Sequence, residues 1–441
     1  MCTFLIALIF MVGMYFLYGK YMDRIFQTDK TRPVPCVTHA DGVDYVPLPT
    51  WKVFLIQFLN IAGLGPIFGA VMGAMYGPVV FLWIAFGTVF AGAVHDYFSG
   101  MISIRSGGKS LPEIIGRELG LTAKQVMRVF TVFLMVLVGA VFVSGPADLL
   151  TSLTGGAVDY RIWVALIFCY YIIAALFPID KIIGKVYPLF GVALLCMALG
   201  VLAALFFHTG NMVELTPETF RNMHPDAAKL PIFPMLFITV ACGAISGFHA
   251  TQSPLMARCI KTEHDGRKVF FGAMIIEGIV ALIWAAAAMA FFNGTSGLHE
   301  FMAANKNNAA AVVNAISNHW LGSVGSVLAL LGVVAAPITS ADTAFRSARL
   351  MIADMFTYSQ KTLVKRIVVA APLFIASFVI LQLNFDVIWR YFAWGNQTLA
   401  VFTLWAITAY LFRAKKNYWV ALVPAVFMTA VCITYILVVV L

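Results

Sequence analysis

Apolar residues run along this chain in blocks, separated by short polar, charged or glycine- and proline-containing stretches, and a block of about twenty is what an α-helix needs to cross a bilayer. Twelve such blocks are legible, over approximately 2–19, 52–76, 78–104, 126–147, 160–178, 185–207, 231–257, 268–292, 321–345, 364–382, 386–411 and 417–440. The pattern predicts an all-α polytopic membrane protein of about 12 helices. Two blocks are interrupted. Within 52–76, the string NIAGLGPIFGAVMG places Gly63, Gly65 and Pro66 so close together that a continuous helix would lose a hydrogen bond and carry the entropy of two glycines. Backbone groups freed in this way must be used when no water is at hand. Either small residues at Gly65, Gly69 and Gly73 let a kinked helix pack closely, or the break offers groups to a substrate and a coupling ion.

The second interruption lies in 231–257, where CGAISGFHATQSP brings Gly243, Ser246, Gly247, His249, Thr251, Gln252 and Ser253 ahead of Pro254. The block order makes this span antiparallel to the first broken one, and five spans separate their starts, as in two inverted five-helix repeats. Two connecting segments fit the same scheme. After the third block comes SLPEIIGREL, an amphipathic stretch with Ser110 and Glu113 spaced as a capping box and Pro112 in the first turn. After the eighth comes Leu298 to Asn318, again too short of apolar length to cross. The expected organisation is an N-terminal helix and loop (1–51), a first repeat (52–207), a linker (208–230), a second repeat (231–411) and a C-terminal helix (412–441).

Composition agrees: 61% of the 441 residues are apolar and 11% charged, against roughly a quarter charged in soluble domains. The net charge of +9 is not a nucleic-acid signal, because no basic cluster sits on a recognisable soluble module. Sorted by block order, 24 of the 29 Lys and Arg residues fall on one side of the membrane. The positive-inside rule makes that side cytoplasmic and places both termini outside. The first block lacks a basic leader and a small-residue cleavage site, so it reads as an uncleaved span. Seven scattered cysteines without a CxxC suggest neither a disulfide frame nor a thiolate metal site.

Ionisable groups inside spans are costly and therefore functional candidates. They are His95 and Asp96, which as adjacent helix positions are expected to face different directions and not to pair, His249 inside the second break, Glu277 on a flanking helix, and Asp342 with Arg346 at the cytoplasmic end of PITSADTAFRSAR. Asp342 and Arg346 stand one turn apart, as in a salt bridge or gate. Thr339 and Ser340 with carbonyls near Gly63 could coordinate Na⁺, and the titration range of His249 suits proton coupling. Substrate candidates are Asn60, Gly63, Leu64, Gly65, Gly243, Ser246, Gly247 and His249; coupling candidates are Thr339, Ser340, Asp342, Asp96 and His95. Arg390 and Gln397 are set outside the central group. HEFMA at His299 lacks the second histidine of a zinc protease, and Ser246 with His249 lacks oxyanion donors for a hydrolase. No enzyme is expected. A passive channel is the alternative to a transporter.

YGKYMDRIFQTDKTRPVP, DGVDYVP, IAGLGPIFG and FAGAVHDYFSGMISIRSGGKSLPEI, with ACGAISGFHATQSP and TSADTAFRSARLMIAD further on, closely resemble the carbon starvation protein A family of bacterial membrane transporters. The resemblance implies a broken-helix, LeuT-type transporter of the bacterial cytoplasmic membrane. It further implies uptake of small carbon and nitrogen sources such as pyruvate, amino acids or short peptides, with no cofactor beyond a coupling Na⁺ or H⁺. Longer members carry a His-His pair where this chain has Ile56 and Gln57, and the chain resembles a short, core-only form.

Overall fold

The computed structural model describes residues 1–176, 183–208, 212–305, 307–360, 362–383 and 385–439, so Lys181 and Lys361 of the 24 basic residues assigned to the cytoplasmic side, and Lys306 of the five assigned to the other, lie outside the described residues. Helix dominates, as the apolar blocks require. α1 (Cys2–Phe26) runs past the apolar block into KYMDRIF and stops at Gln27 in the left-handed region. The first interrupted block folds as two helices, α2 (Thr50–Ile61) and α3 (Gly65–Ala74), bent 57° at the break. α4 (Val79–Arg105) follows, then the short amphipathic α5 (Leu111–Leu119) and the long α6 (Leu121–Leu153) with Pro146 inside it. α7 (Tyr160–Leu176) and α8 (Ile183–Phe207) complete the first half.

The second interrupted block is also broken: a short helical segment over 232–239 gives way at Val240, whose ψ of 60° leaves the helix, and helix resumes as α9 (Gly247–Ala257). α10 (Glu263–Phe291), α11 (Thr295–Ala304), α12 (Ala309–Ala329), α13 (Ala335–Met355), α14 (Leu363–Ile380), α15 (Phe385–Arg413) and α16 (Trp419–Val439) follow. Among the described residues seven helices are long and apolar enough to cross a membrane, or eight with the bent α2–α3 pair taken as one span. The chain is a multi-pass membrane protein.

Burial divides these helices as lipid requires. α10 is 89% buried over its apolar window and α4 83%, whereas α1 and α14 are 22% buried, so the former two are central and the latter two face outward with apolar surface. α13 packs along α6, α9 along α4, and α2 along α8, which surrounds both breaks with helices.

One local expectation is corrected. Ser110 is the residue before α5 but makes no side-chain cap bond, and the Glu113 carboxylate turns instead to Lys124 and Arg128 at the start of α6, each at 2.6 Å. Two cations attract a carboxylate more strongly than a single backbone N–H does. Burial raises the proton affinity of Glu113, but these two hydrogen-bonded cations outweigh it and hold the carboxyl below its ordinary value.

Candidate functional site

The two breaks meet. A Cβ built on Gly65 would stand 2.1 Å from the Cβ of Cys242, and one on Gly243 would stand 3.6 Å from the Cα of Pro66. Glycine at 65 is therefore set by the close approach of the second break, besides any freedom it lends the turn. At the first break Ala62 leaves helical geometry, and the Gly63 N–H turns back to the Ile61 carbonyl at 2.9 Å. Leu64 packs on Gly145 and Gly63 on the ring of Phe142, both of α6. Asn60 and Gln57, one turn apart on α2, are fully buried, and neither amide makes a hydrogen bond among the described residues. Four polar atoms without partners in a membrane interior mark a place for a polar ligand or water.

The second break is braced from outside itself. The carbonyls of Val240, Gly243 and Ile245 accept hydrogen bonds from Trp83 (3.1 Å), Thr88 (2.9 Å) and Gln397 (3.1 Å). Asn396 donates to the Ser246 hydroxyl at 2.8 Å, while its carbonyl oxygen accepts the Phe248 N–H at 2.7 Å. Asn396 thus caps α9, the position Ser246 would otherwise serve. A Cβ on Gly247 would lie 2.4 Å from the main-chain carbonyl oxygen of Asn396, so this contact admits only glycine. Placing Gln397 outside the central group is corrected here. The signal was available: an adjacent Asn-Gln pair inside an apolar block is expensive unless it bonds to another helix.

Behind the breaks, ionisable side chains form a line across three helices. His95 Nδ1 lies 2.7 Å from Asp96 Oδ1, Asp96 Oδ2 lies 3.0 Å from His249 Nδ1, and His249 Nε2 lies 3.5 Å from Glu277 Oε2. All four side chains are 0% exposed. Two expectations are corrected. His95 and Asp96 do pair: their Cβ directions diverge on α4, but both side chains swing to a common point because an isolated charge in this interior would cost far more than the rotamer adjustment. Glu277 does not merely flank the core but closes the line from α10. With Asp96 ionised, both Nδ1 atoms carry protons and donate to it, which leaves the His249 Nε2–Glu277 gap as the place where a further proton can sit on either partner. His95 Nε2, His249 Nε2 and both carboxyl oxygens of Glu277 make no hydrogen bond among the described residues, so the last link of the line is a proximity of 3.5 Å. No group of three His, Cys, Asp or Glu among the described residues converges as metal ligands do.

The coupling candidates on α13 fall into two environments. Ser340 Oγ is 2.9 Å from the Leu59 carbonyl on α2 and 2.9 Å from the Ala336 carbonyl, while Thr339 Oγ1 is 2.8 Å from Ala336 O. Ser340 therefore meets the first broken helix at Leu59, one turn before Gly63. Asp342 accepts a hydrogen bond from the Tyr187 hydroxyl, whose oxygen also lies 3.3 Å from the Thr339 carbonyl. Arg346 pairs with Asp44 at 3.2 Å, a residue from the α1–α2 connection, and the expected partner one turn earlier, Asp342, acts on it electrostatically.

With this geometry established, likeness to known proteins becomes informative. A family model described as "Carbon starvation protein CstA" matches residues 1–160, 149–324 and 309–435. A protein of Haemophilus influenzae described as an uncharacterized membrane protein is 43% identical, over 66% of this chain and 91% of its own length. The pyruvate/proton symporter BtsT of Escherichia coli is 31% identical over 62% of this chain and 46% of BtsT. The peptide transporter CstA of Escherichia coli is 25% identical over 98% of this chain and 79% of that protein. Among solved structures, MhsT in complex with L-phenylalanine superposes with a TM-score of 0.62 at 14% identity, covering 89% of this chain and 98% of MhsT. The fold is LeuT-like.

Proposed function

The chain belongs to the carbon starvation protein CstA family, and we propose that it is a proton-coupled symporter that imports a small carboxylate-bearing nutrient, such as pyruvate, an amino acid or a short peptide, across the bacterial cytoplasmic membrane. In this reading the chain has twelve spans, two inverted five-helix units over 52–207 and 231–411, and both termini outside. The contact of the two breaks at Gly65 and Cys242 supports that arrangement. So do the short helices α5 and α11, which follow the second span of each unit.

The observation that carries the proposal is the buried line His95–Asp96–His249–Glu277 directly behind the paired breaks. A substrate carboxylate is met by N–H groups where helix resumes at Gly65 and by the amides of Asn60 and Gln57. The proton is taken up between His249 and Glu277, on the helix that opens from the second break. Arrival of an anion beside the line favours its protonated state, and departure of the proton weakens the hold on the anion. That reciprocity is what symport requires.

A sodium-coupled reading has one observation in its favour, the oxygen group of Leu59 O, Ala336 O, Thr339 Oγ1 and Ser340 Oγ joining α13 to α2. Uptake of labelled pyruvate, amino acids and dipeptides into proteoliposomes under separate H⁺ and Na⁺ gradients decides between them. Accumulation driven by an inward H⁺ gradient without Na⁺ supports the proposal. Strict Na⁺ dependence that Thr339→Val/Ser340→Ala removes would replace it, and flux without accumulation or counterflow would indicate a channel.

A further inference from the structure

The connection from α1 to α2 contains the string DGVDYVP. It is folded and aimed. Asp41 Oδ1 accepts the N–H groups of Val43, Asp44 and Tyr45 at 2.8, 2.9 and 2.9 Å, and this turn drives the Asp44 carboxylate into the end of α13. Asp44 is 5% exposed, Arg346 1% and Arg349 0%. Asp44 Oδ1 pairs with Arg346 at 3.2 Å and Oδ2 with Arg349 at 3.8 Å. Burial alone would raise the proton affinity of Asp44, yet Arg346, Arg349 and Arg258 outweigh it and hold the carboxyl below its ordinary value.

Three guanidinium groups, those of Arg346, Arg349 and Arg258, act on the Asp44 carboxylate, and Asp342 and Asp354 act on the same arginines from other sides. Arg258 is held by the Gly108 carbonyl at 2.9 Å and lies over the Tyr45 ring at 4.9 Å. Arg349 gives one nitrogen to Gln360 at 2.6 Å, but its Nε and Nη2 make no hydrogen bond among the described residues. Two arginines three positions apart on one helix present a donor surface matched to a carboxylate. Asp44 fills it incompletely, with a 3.8 Å separation on the Arg349 side. The segment that carries Asp44 lies over a thiol: Leu48 N–H donates to the Cys259 carbonyl at 3.0 Å, and Cys259 Sγ, fully buried, is 4.0 Å from the Asp44 carbonyl.

We infer that Arg346 and Arg349 form a carboxylate-binding site on the exit side of the transport path, held in this conformation by Asp44, and that a substrate carboxylate released inward takes the place of Asp44 and lifts the 39–49 segment. This deepens the function proposed above and rests on its carboxylate substrate. The competition is between like groups: Asp44 has the advantage of attachment, and the substrate has that of delivery, one molecule at a time, next to the site.

Cys259 reports on the segment directly. The test is its alkylation by N-ethylmaleimide in the purified full chain, followed by peptide mass spectrometry, in potassium acetate and in potassium chloride at equal ionic strength. Acetate is expected to speed alkylation several-fold over chloride in the wild type, and to have no effect in Arg349→Gln. Asp44→Asn should raise the rate in chloride about tenfold by releasing the segment, whereas Asp44→Glu, which keeps the charge, should stay near the wild-type rate. Equal rates in acetate and chloride would overturn the inference, as would Asp44→Asn labelling no faster than wild type. The wild-type comparison stands even if Asp44→Asn does not fold. An acetate response in a protein that transports no carboxylate would keep the site and remove the transport reading; carboxylate uptake without an acetate response would remove the site alone.

Discussion

Asp96 is bound on both sides by histidines, and this explains how an acid can remain in a membrane interior at all. Removing one member of such a set leaves the others buried without compensation, which costs roughly 3–5 kcal/mol where a pair is broken outright. Asp96→Ala should therefore lower the thermal stability of the purified protein far more than Glu277→Gln, which keeps a polar amide near His249; a melting series comparing the two variants tests the order. Glu277→Gln should instead spare stability and abolish uptake driven by a proton gradient, while leaving exchange of substrate across the membrane. At this scale the sequence was partly legible. The scarcity of ionisable residues inside spans singled out His95, Asp96, His249 and Glu277, because charge in lipid is rare enough to be noticed. What it did not reveal was their pairing. Helical periodicity reports Cβ directions, and the swing of side chains toward a common partner is a tertiary effect, as is the bracing of the second break by Asn396 and Gln397.

The breaks themselves were readable because glycine and proline act locally, on hydrogen bonds and φ angles that the sequence alone specifies. Their mutual contact was not, since nothing in NIAGLGPIFG states that Cys242 will stand against Gly65. That contact gives a sharper substitution than the break alone. Gly65→Ala should lose most transport and cost about 1–3 kcal/mol of stability through overpacking, and Gly65→Ala/Cys242→Gly should recover part of both by vacating the position the new methyl needs. A double-mutant cycle in melting temperature and uptake measures this; strictly additive losses would show that the two positions do not meet. The α5–α6 junction carries a pH prediction. The Glu113 carboxyl is held below its ordinary value of 4.5 by Lys124 and Arg128, so the stability it lends α5 is fully present above that value and is lost as pH falls through the lower folded value. Hydrogen exchange of residues 111–119, corrected for intrinsic rates, should show protection falling below about pH 4.5 in the wild type. Glu113→Gln should be less protected at neutral pH and flat across the same range. The sequence placed the amphipathic helix correctly, yet it assigned Glu113 to a cap because only the local partner, Ser110, was visible.

For the molecule as a whole, hydropathy and the two breaks carried the fold class: the LeuT-like superposition matches the broken-helix membrane fold predicted from them, while the division of 24 of 29 basic residues to one side belongs to the proposed twelve-span order. In this chain Asn60 and Gln57 stand beside the first break without hydrogen-bond partners among the described residues. Its choice of substrate is accordingly expected to depend on these amides. Gln57→Leu should raise the concentration needed for half-maximal uptake with little change in maximal rate, since it removes binding and leaves the proton line intact. The central claim is that substrate and proton move together through the site behind the two breaks. The most direct measurement is the internal pH of proteoliposomes carrying a trapped fluorescent indicator, after pyruvate or a dipeptide is added outside in sodium-free buffer. Acidification that follows the substrate in the wild type and is absent in Glu277→Gln is the predicted result. Substrate entry without acidification of the interior, or acidification unchanged in Glu277→Gln, would contradict it.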